Sequence, residues 1–158
     1  MKKSLFVSVI ITLIGLDGFS QSTGKTPQAV YAQAGGSSPL VGIHYDRRFS
    51  KSPGGAGFTV GFGYYGGFSS AIVSVPVSVN YLFGKEKHFA ELAAGATYIS
   101  LNKDFFESDK SAGGVFGHVN MGYRFQQGNG FFLRAGYSPL FTTSSFMSSA
   151  YIGLGYAF

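Results

Sequence analysis

The chain has 158 residues, a formal net charge of +5 and no cysteine. Hydrophobic residues make up 45% of it, which is too many for a disordered chain of modest charge. The lack of cysteine excludes disulfides, thiolate metal sites and a lipidated N-terminal cysteine. The length suits one domain. The 24 glycines and the aromatic fraction of 17% favour strands and turns over helices.

The first 20 residues have the pattern of a cleavable signal peptide. A basic start precedes an apolar run over residues 5–14, and Gly18 and Ser20 supply small side chains before the cleavage position. The alternative is an uncleaved membrane anchor. The apolar run is too short for one, because a membrane-spanning helix needs roughly 20 residues. The pattern predicts cleavage after Ser20, a short periplasmic lead-in over 21–27 and one domain over 28–158.

Eight strand-like segments follow, each closed by a turn signal. Alternation within them places large apolar side chains on one face and small or polar ones on the other. Pro76 removes a ladder donor and predicts a bulge or an unpaired position. The longest connections are predicted over 102–114 and 139–148. The predicted strands cover approximately 28–35, 39–50, 57–65, 71–83, 88–101, 115–126, 130–138 and 150–158.

The last predicted strand shows the pattern most clearly. Every second residue from Ala150 to Phe158 is apolar or aromatic, whereas Gly153 and Gly155 fall on the opposite face. A soluble strand would turn its bulk inward, so this arrangement predicts an apolar surrounding outside and a crowded interior. A strand that ends the chain on an aromatic residue is similar to the C-terminal recognition signal of outer-membrane β-barrels. Tyr156 and Phe158 are the predicted carriers of that barrel-assembly signal.

Charges inside the predicted strands fall on the face opposite the large apolar side chains. Arg47, near a strand end, is the one charge on the outward face. The inward preference is expected because a charge on a lipid-facing position costs about 2–4 kcal/mol at the bilayer midplane. The inward charges are predicted to form an ionic network in the periplasmic half of the lumen. The network residues are Asp46, Arg48, Glu91, Arg124 and Arg134, and the predicted polar lumen residues are His44, His118 and Asn120.

These patterns predict an all-β fold, an eight-stranded antiparallel up-and-down transmembrane β-barrel. An even number of strands places both termini on one side, the periplasm. The two longest predicted connections both fall on the other side, as in barrels with short periplasmic turns and longer outer loops. An eight-stranded interior is only wide enough for side chains, which predicts a plugged lumen.

Several short segments also resemble a family of small outer-membrane β-barrel proteins of Gram-negative bacteria. The resemblance implies a location and a fold, and it supplies no activity. The segments that carry it are Tyr45–Phe49 (YDRRF), Asn80–Gly84 (NYLFG), Lys87–Glu91 (KHFAE), Gly122–Phe125 (GYRF), Phe131–Gly136 (FFLRAG) and Gly153–Phe158 (GLGYAF).

The sequence predicts no catalytic, cofactor-binding or metal-binding residues. His44 and His118 could form a metal pair or supply a general base, but bonding into the interior polar network is the simpler reading. The serines predicted at the outer rim have no histidine in their loop, which argues against a hydrolase or acyltransferase. The acidic and aromatic loop 102–114 could bind cations or a partner, or could be a solvated surface.

The predicted function is therefore that of an outer-membrane barrel with a structural or surface-interaction role. A narrow channel for ions or small solutes is the first alternative, and a lipid-modifying enzyme is the second. A secreted soluble barrel is a third. The expected partners are outer-membrane lipid and, through the C-terminal strand, the barrel-assembly machinery. No nucleic acid and no second subunit are expected.

Overall fold

The computed structural model describes residues 26–67, 70–102, 111–143 and 145–158. In this part of the chain eight antiparallel strands form a closed barrel in which each strand pairs with the next and β8 pairs with β1. Within the same ranges no helix has the length and apolar character to cross a membrane. The predicted signal peptide and most of the predicted lead-in lie outside the described residues. The strands are β1 (Gln28–Gly35), β2 (Ser38–Arg48), β3 (Gly55–Gly67), β4 (Ser70–Lys85), β5 (His88–Asn102), β6 (Ser111–Gln126), β7 (Gly130–Phe141) and β8 (Phe146–Ala157).

The predicted alternation of faces is confirmed in the strands. Along β8, Ile152, Leu154 and Tyr156 are each about half exposed, whereas Tyr151 is buried. Along β1, Val30 is exposed and Tyr31 is buried. The barrel therefore presents its apolar bulk outward and encloses its polar side chains.

The strands are longer than predicted at one end of the barrel. The segment 139–148, predicted as a loop because it is rich in Ser and Thr, instead extends β7 and β8 until Phe141 pairs with Phe146. Contact between these two rings, with centroids 5.5 Å apart and planes tilted by 57°, stabilises the extension. Strand β6 begins at Ser111, so most of the predicted loop 102–114, residues 103–110, lies outside the described part of the chain.

The longest connections do not all lie at one end of the barrel, so that prediction was wrong in part. Strand β2 ends at Arg48 and not at position 50, which leaves residues 49–54 as a connection longer than 142–145. The β2–β3 connection and the β5–β6 connection, two of the longer ones, therefore lie at opposite ends of the barrel. The strand count of eight is as predicted. We call the end that carries Gln28 and Phe158 the terminal end, and the opposite end the loop end.

Two of the three prolines within strands occupy interruptions of the ladders. Pro76 lies where the β3–β4 pairing skips two positions without a change of register, so the unpaired position predicted for it is confirmed. Pro139 occupies the same kind of interruption between β6 and β7. A residue without an N–H fits a strand only where the ladder does not need that donor.

The stagger of the strands sets the width of the interior. A path that follows paired residues around the barrel from Ala29 returns to β1 at the level of position 39, which is a stagger of ten residues. Eight strands with such a stagger and a tilt of about 35–45° leave room for side chains only. The path runs through Ala29, Asp46, Thr59, Ser78, Gly95, His118, Leu140 and Met147.

Candidate functional site

The outer surface carries a continuous apolar belt between two rings of exposed aromatic side chains. The terminal-end ring consists of Phe49, Tyr81, Phe83, Tyr123, Phe131, Tyr156 and Phe158. The loop-end ring consists of Tyr64, Tyr98, Tyr137, Phe141 and Phe146. Between them lie exposed aliphatic side chains, among them Ile43, Val60, Val77, Val79, Leu92, Val115, Ile152 and Leu154. An apolar band flanked by aromatic girdles is the outer surface of a transmembrane β-barrel.

The interior contains an ionic network at the terminal end. Arg124 bridges the two acids, with Nη1 and Nη2 donating to Asp46 at 3.0 and 3.1 Å. Its Nε and Nη2 donate to Glu91 at 3.0 and 2.8 Å. Arg48 donates to both oxygens of Asp46 at 2.9 Å, and Arg134 lies 3.1 Å from Glu91. The structure thus brings all five charged residues singled out in the sequence into one connected cluster.

Neutral side chains complete the coordination of the central carboxylate. Thr59 donates to Asp46 at 2.8 Å and Asn80 donates to it at 2.6 Å. Arg48 also contacts the amide oxygen of Asn80, and its Nη1 donates to the backbone oxygen of Gly55. Because Asp46 is 1% exposed, these bonds replace the water that a buried carboxylate loses. The partners come from strands β2, β3, β4 and β6, so the network ties distant parts of the wall together.

Aromatic rings fill the next level of the lumen. Tyr31 stacks between His44 and Phe132, with ring centroids 5.1 and 4.7 Å away. Its hydroxyl accepts a 2.5 Å hydrogen bond from Arg134, and the guanidinium of Arg124 lies over the ring of Phe132 at 5.1 Å. The stack lies inside the barrel directly beside the ionic network.

The inward glycine at position 155 makes this stack possible. A Cβ there would lie 2.1 Å from a backbone oxygen of β1 and 2.5 Å from the Cα of Tyr31. Tyr31 pairs directly with Gly155 across the β1–β8 ladder, so the bulk of one residue occupies the space that the other leaves. The small residues that the sequence places on the inner face therefore make room for large side chains from neighbouring strands.

The turn between β1 and β2 folds into the barrel and forms a floor across the lumen at the loop end. Gly36 adopts a positive φ of 66°, and Ser37 and Ser38 are 3% and 0% exposed. Thr97, on the far wall in β5, donates to the backbone oxygen of Ser37 at 2.9 Å. The N–H of Gly36 donates to the hydroxyl of Ser149 in β8 at 3.0 Å. Sequence reasoning missed this floor, because a Gly-Gly-Ser-Ser turn does not reveal which way it folds.

The two predicted lumen histidines are bonded to neighbouring hydroxyl groups. His44 Nε2 lies 2.9 Å from the hydroxyl of Ser38, and His118 Nδ1 lies 3.2 Å from the hydroxyl of Thr97. Asn120 accepts a 2.7 Å hydrogen bond from Ser138. All of these side chains are buried.

The interior does not assemble a reactive centre from the residues that the structure describes. The Ser38–His44 pair is sealed from solvent and has no carboxylate bonded to the histidine in these ranges, so it lacks both substrate access and an orienting acid. The same ranges contain no group of three or more His, Asp or Glu side chains that could hold a metal ion. Four serines were predicted at the rim. Ser148 bonds to Tyr137 at 2.7 Å, Ser149 accepts from Gly36, Ser145 is exposed, and Ser144 lies outside the described residues.

This architecture is that of the small eight-stranded outer-membrane β-barrels, so the resemblance seen in the sequence is confirmed for the fold. The sequence matches no protein-family model and no curated protein.

Solved structures with the same fold include three bacterial proteins. The N-terminal β-barrel domain of Pseudomonas aeruginosa OprF has a TM-score of 0.58 and 14% identity, over 84% of this chain and 96% of that one. Neisserial surface protein A has a TM-score of 0.53 and 16% identity, over 84% and 94%. The Yersinia pestis outer membrane protein Ail, in a phospholipid nanodisc, has a TM-score of 0.54 and 14% identity, over 85% and 100%.

Proposed function

We propose that this protein is an integral outer-membrane barrel with a structural or surface-interaction role. The single observation that carries the proposal is the apolar belt between two aromatic rings around an interior whose charged side chains are buried. Water would not stabilise so much exposed apolar area around a barrel that buries five charged side chains in its interior, whereas lipid would. Membrane placement is also consistent with the names of the similar structures, an outer membrane protein and a surface protein among them.

A cleaved signal peptide over residues 1–20 would deliver the chain to the periplasm, where residues 21–27 would remain as a lead-in. Both termini would then face the periplasm, because strands β1 and β8 begin and end at the same end of the barrel. Tyr156 and Phe158 would present the C-terminal strand to the barrel-assembly machinery. Because the eight strands close into a barrel, the sheet needs no strand from a second copy. The proposed state in the membrane is therefore a monomer.

We also infer that the lumen does not conduct. Three layers block the bore in succession: the ionic network around Asp46, the stack around Tyr31, and the floor formed by Gly36 and Ser37. Each layer is held by hydrogen bonds or stacking between opposite parts of the wall. The exposed parts of the protein would then be its connections, which is the arrangement expected for a surface-interaction role.

Conductance in planar lipid bilayers tests the sealed lumen. The protein is refolded into detergent, its folding is verified by the different gel mobility of heated and unheated samples, and single insertions are recorded. We expect no current steps above the bare membrane. Steady openings of uniform size would assign the protein to the narrow channels instead.

Membrane placement and the absence of lipid-modifying activity need separate measurements. We expect the protein in the outer-membrane fraction and its release only with detergent, whereas release by salt or alkaline washing would identify a soluble barrel. We expect the mass profile of outer-membrane lipids to be the same with and without the gene. A lipid species that appears or disappears with the gene would show an enzyme.

A further inference from the structure

The barrel wall is incomplete at one place near the loop end. Strands β1 and β2 stop at Gly35 and Ser38, while β8 continues from Ala150 to Phe146 and β3 from Tyr64 to Gly67 without a described partner on that side. Three interstrand spacings of about 4.8 Å, roughly 14 Å between the two backbones, separate β8 from β3 at this opening, and Pro39 and Leu40 lie beside Tyr65 on the β3 side. The lower edge of the opening is the β1–β2 turn with the exposed side chain of Leu40. The opening is therefore bounded by described backbone on three sides.

The inward side chains change from mainly polar to mainly apolar at the height of this opening. Below the Gly36–Ser37 floor the inward side chains are mainly charged, polar or stacked on one another. Above it, the alternation of the strands turns several large apolar side chains inward. These apolar inward residues are Tyr65, Ile72, Leu101, Phe116, Leu140 and Met147, and three of them, Tyr65, Leu101 and Met147, are 60%, 44% and 63% exposed. They form an apolar cup that stands above a polar floor.

The cup is continuous with the lipid-facing belt through the opening. The outward side chains at its two edges, Tyr64 and Phe146, belong to the loop-end aromatic ring and are 46% and 62% exposed. The opening lies at the height of this ring, so in a membrane its lower part would face the loop-side leaflet. None of the six cup residues carries a charge, which suits an acyl chain and not a charged ligand.

We propose that the opening admits a lipid acyl chain from the loop-side leaflet into the apolar cup. The bound chain would cover the exposed faces of Tyr65, Leu101 and Met147 and rest on the polar floor, which prevents deeper entry. This inference rests on the proposed membrane placement. It adds a lipid-binding site to a barrel whose remaining interior is filled.

Tryptophan reporters test the site, because the natural chain contains no tryptophan. Three single variants are reconstituted into phosphatidylcholine vesicles with and without bromine on the acyl chains, which quenches nearby indole. Phe116→Trp places the reporter in the cup and Phe146→Trp places it on the lipid-facing edge. Phe132→Trp is the matched control, since it lies inside the wall on the neighbouring strand but below the floor.

The site predicts that Phe146→Trp and Phe116→Trp both lose most of their fluorescence in brominated vesicles, while Phe132→Trp keeps it. Adding Leu40→Glu at the lower edge should restore the fluorescence of Phe116→Trp and leave Phe146→Trp quenched. If Phe116→Trp behaves like Phe132→Trp while Phe146→Trp is quenched, the protein is in the membrane and the acyl site is refuted. If a folded Phe146→Trp is not quenched, the membrane placement itself fails. The quenching of Phe116→Trp could instead disappear as the protein-to-lipid ratio rises, while chemical cross-linking traps dimers. That result would show that a second copy of the protein covers the opening, and it would overturn the proposal.

Discussion

The substitution Glu91→Gln tests the ionic network with almost no change of shape. Glu91 is 4% exposed and accepts two hydrogen bonds from Arg124 and an ion-pair contact from Arg134. The amide keeps the size of the side chain but leaves three arginines around the single carboxylate of Asp46. Removing one partner of a buried ionic cluster costs about 3–5 kcal/mol of the free energy of unfolding, because the remaining charges stay buried and underpaired.

Removing the orphaned cation as well should restore part of the loss. We expect Glu91→Gln/Arg134→Met to be more stable than Glu91→Gln alone, by about 1–2 kcal/mol, since an apolar side chain tolerates a buried position better than an unpaired guanidinium. Glu86→Gln is the matched control: it removes the same charge in an exposed turn and should change stability by less than about 0.5 kcal/mol.

The free energies come from urea titrations of the barrel in lipid vesicles, followed by far-ultraviolet circular dichroism and by gel mobility. Two results would refute the reasoning. One is a Glu91→Gln protein as stable as Glu86→Gln, which would mean that the network does not stabilise the fold. The other is a double variant whose loss of unfolding free energy equals the sum of the losses of Glu91→Gln and Arg134→Met measured singly. That result would mean that the two side chains are not coupled.

Three further predictions concern the interior and the C-terminus. Gly155→Ala should lower the free energy of unfolding by more than about 2 kcal/mol, because its Cβ would lie 2.1 Å from a backbone oxygen, while Gly128→Ala, with nothing within 4 Å, should be neutral in the same urea titration. Tyr31→Phe should cost about 1–2 kcal/mol by losing the bond from Arg134 while it keeps the ring stack, and an unchanged urea midpoint would contradict that bond. Phe158→Ser should reduce the amount of barrel assembled in cells without changing the stability of refolded protein, and equal amounts in outer-membrane fractions would show that the assembly signal lies elsewhere.

The facing of the strands could be predicted because it depends on local information. A period of two assigns Leu154 and Tyr156 to one face whatever the rest of the chain does, and lipid outside makes that face the apolar one. The inward position of Glu91 and Arg124 followed from the same alternation and from the cost of a charge in lipid. Each of these inferences needs only a few neighbouring residues.

The pairing of the charges and the fold of the turn could not be predicted. Arg124 and Asp46 are 78 residues apart, and their contact depends on the register of every ladder between β2 and β6. The inward position of Ser37 depends on Thr97, on the far wall. The extension of β7 and β8 was missed because Ser and Thr near Phe146 have the composition of a loop, and cross-strand pairing outweighs that composition.

The closing ladder brings the two ends of the barrel sequence side by side. Gln28 and Phe158 exchange both backbone hydrogen bonds, each 2.9 Å long. A short linker could therefore join them, and new termini could be opened in the exposed turn at Gly128 without altering any strand pairing. Such a circular permutant would contain the same eight strands but would no longer end on Phe158. It would therefore distinguish the closure of the barrel from the recognition of its C-terminal strand during assembly.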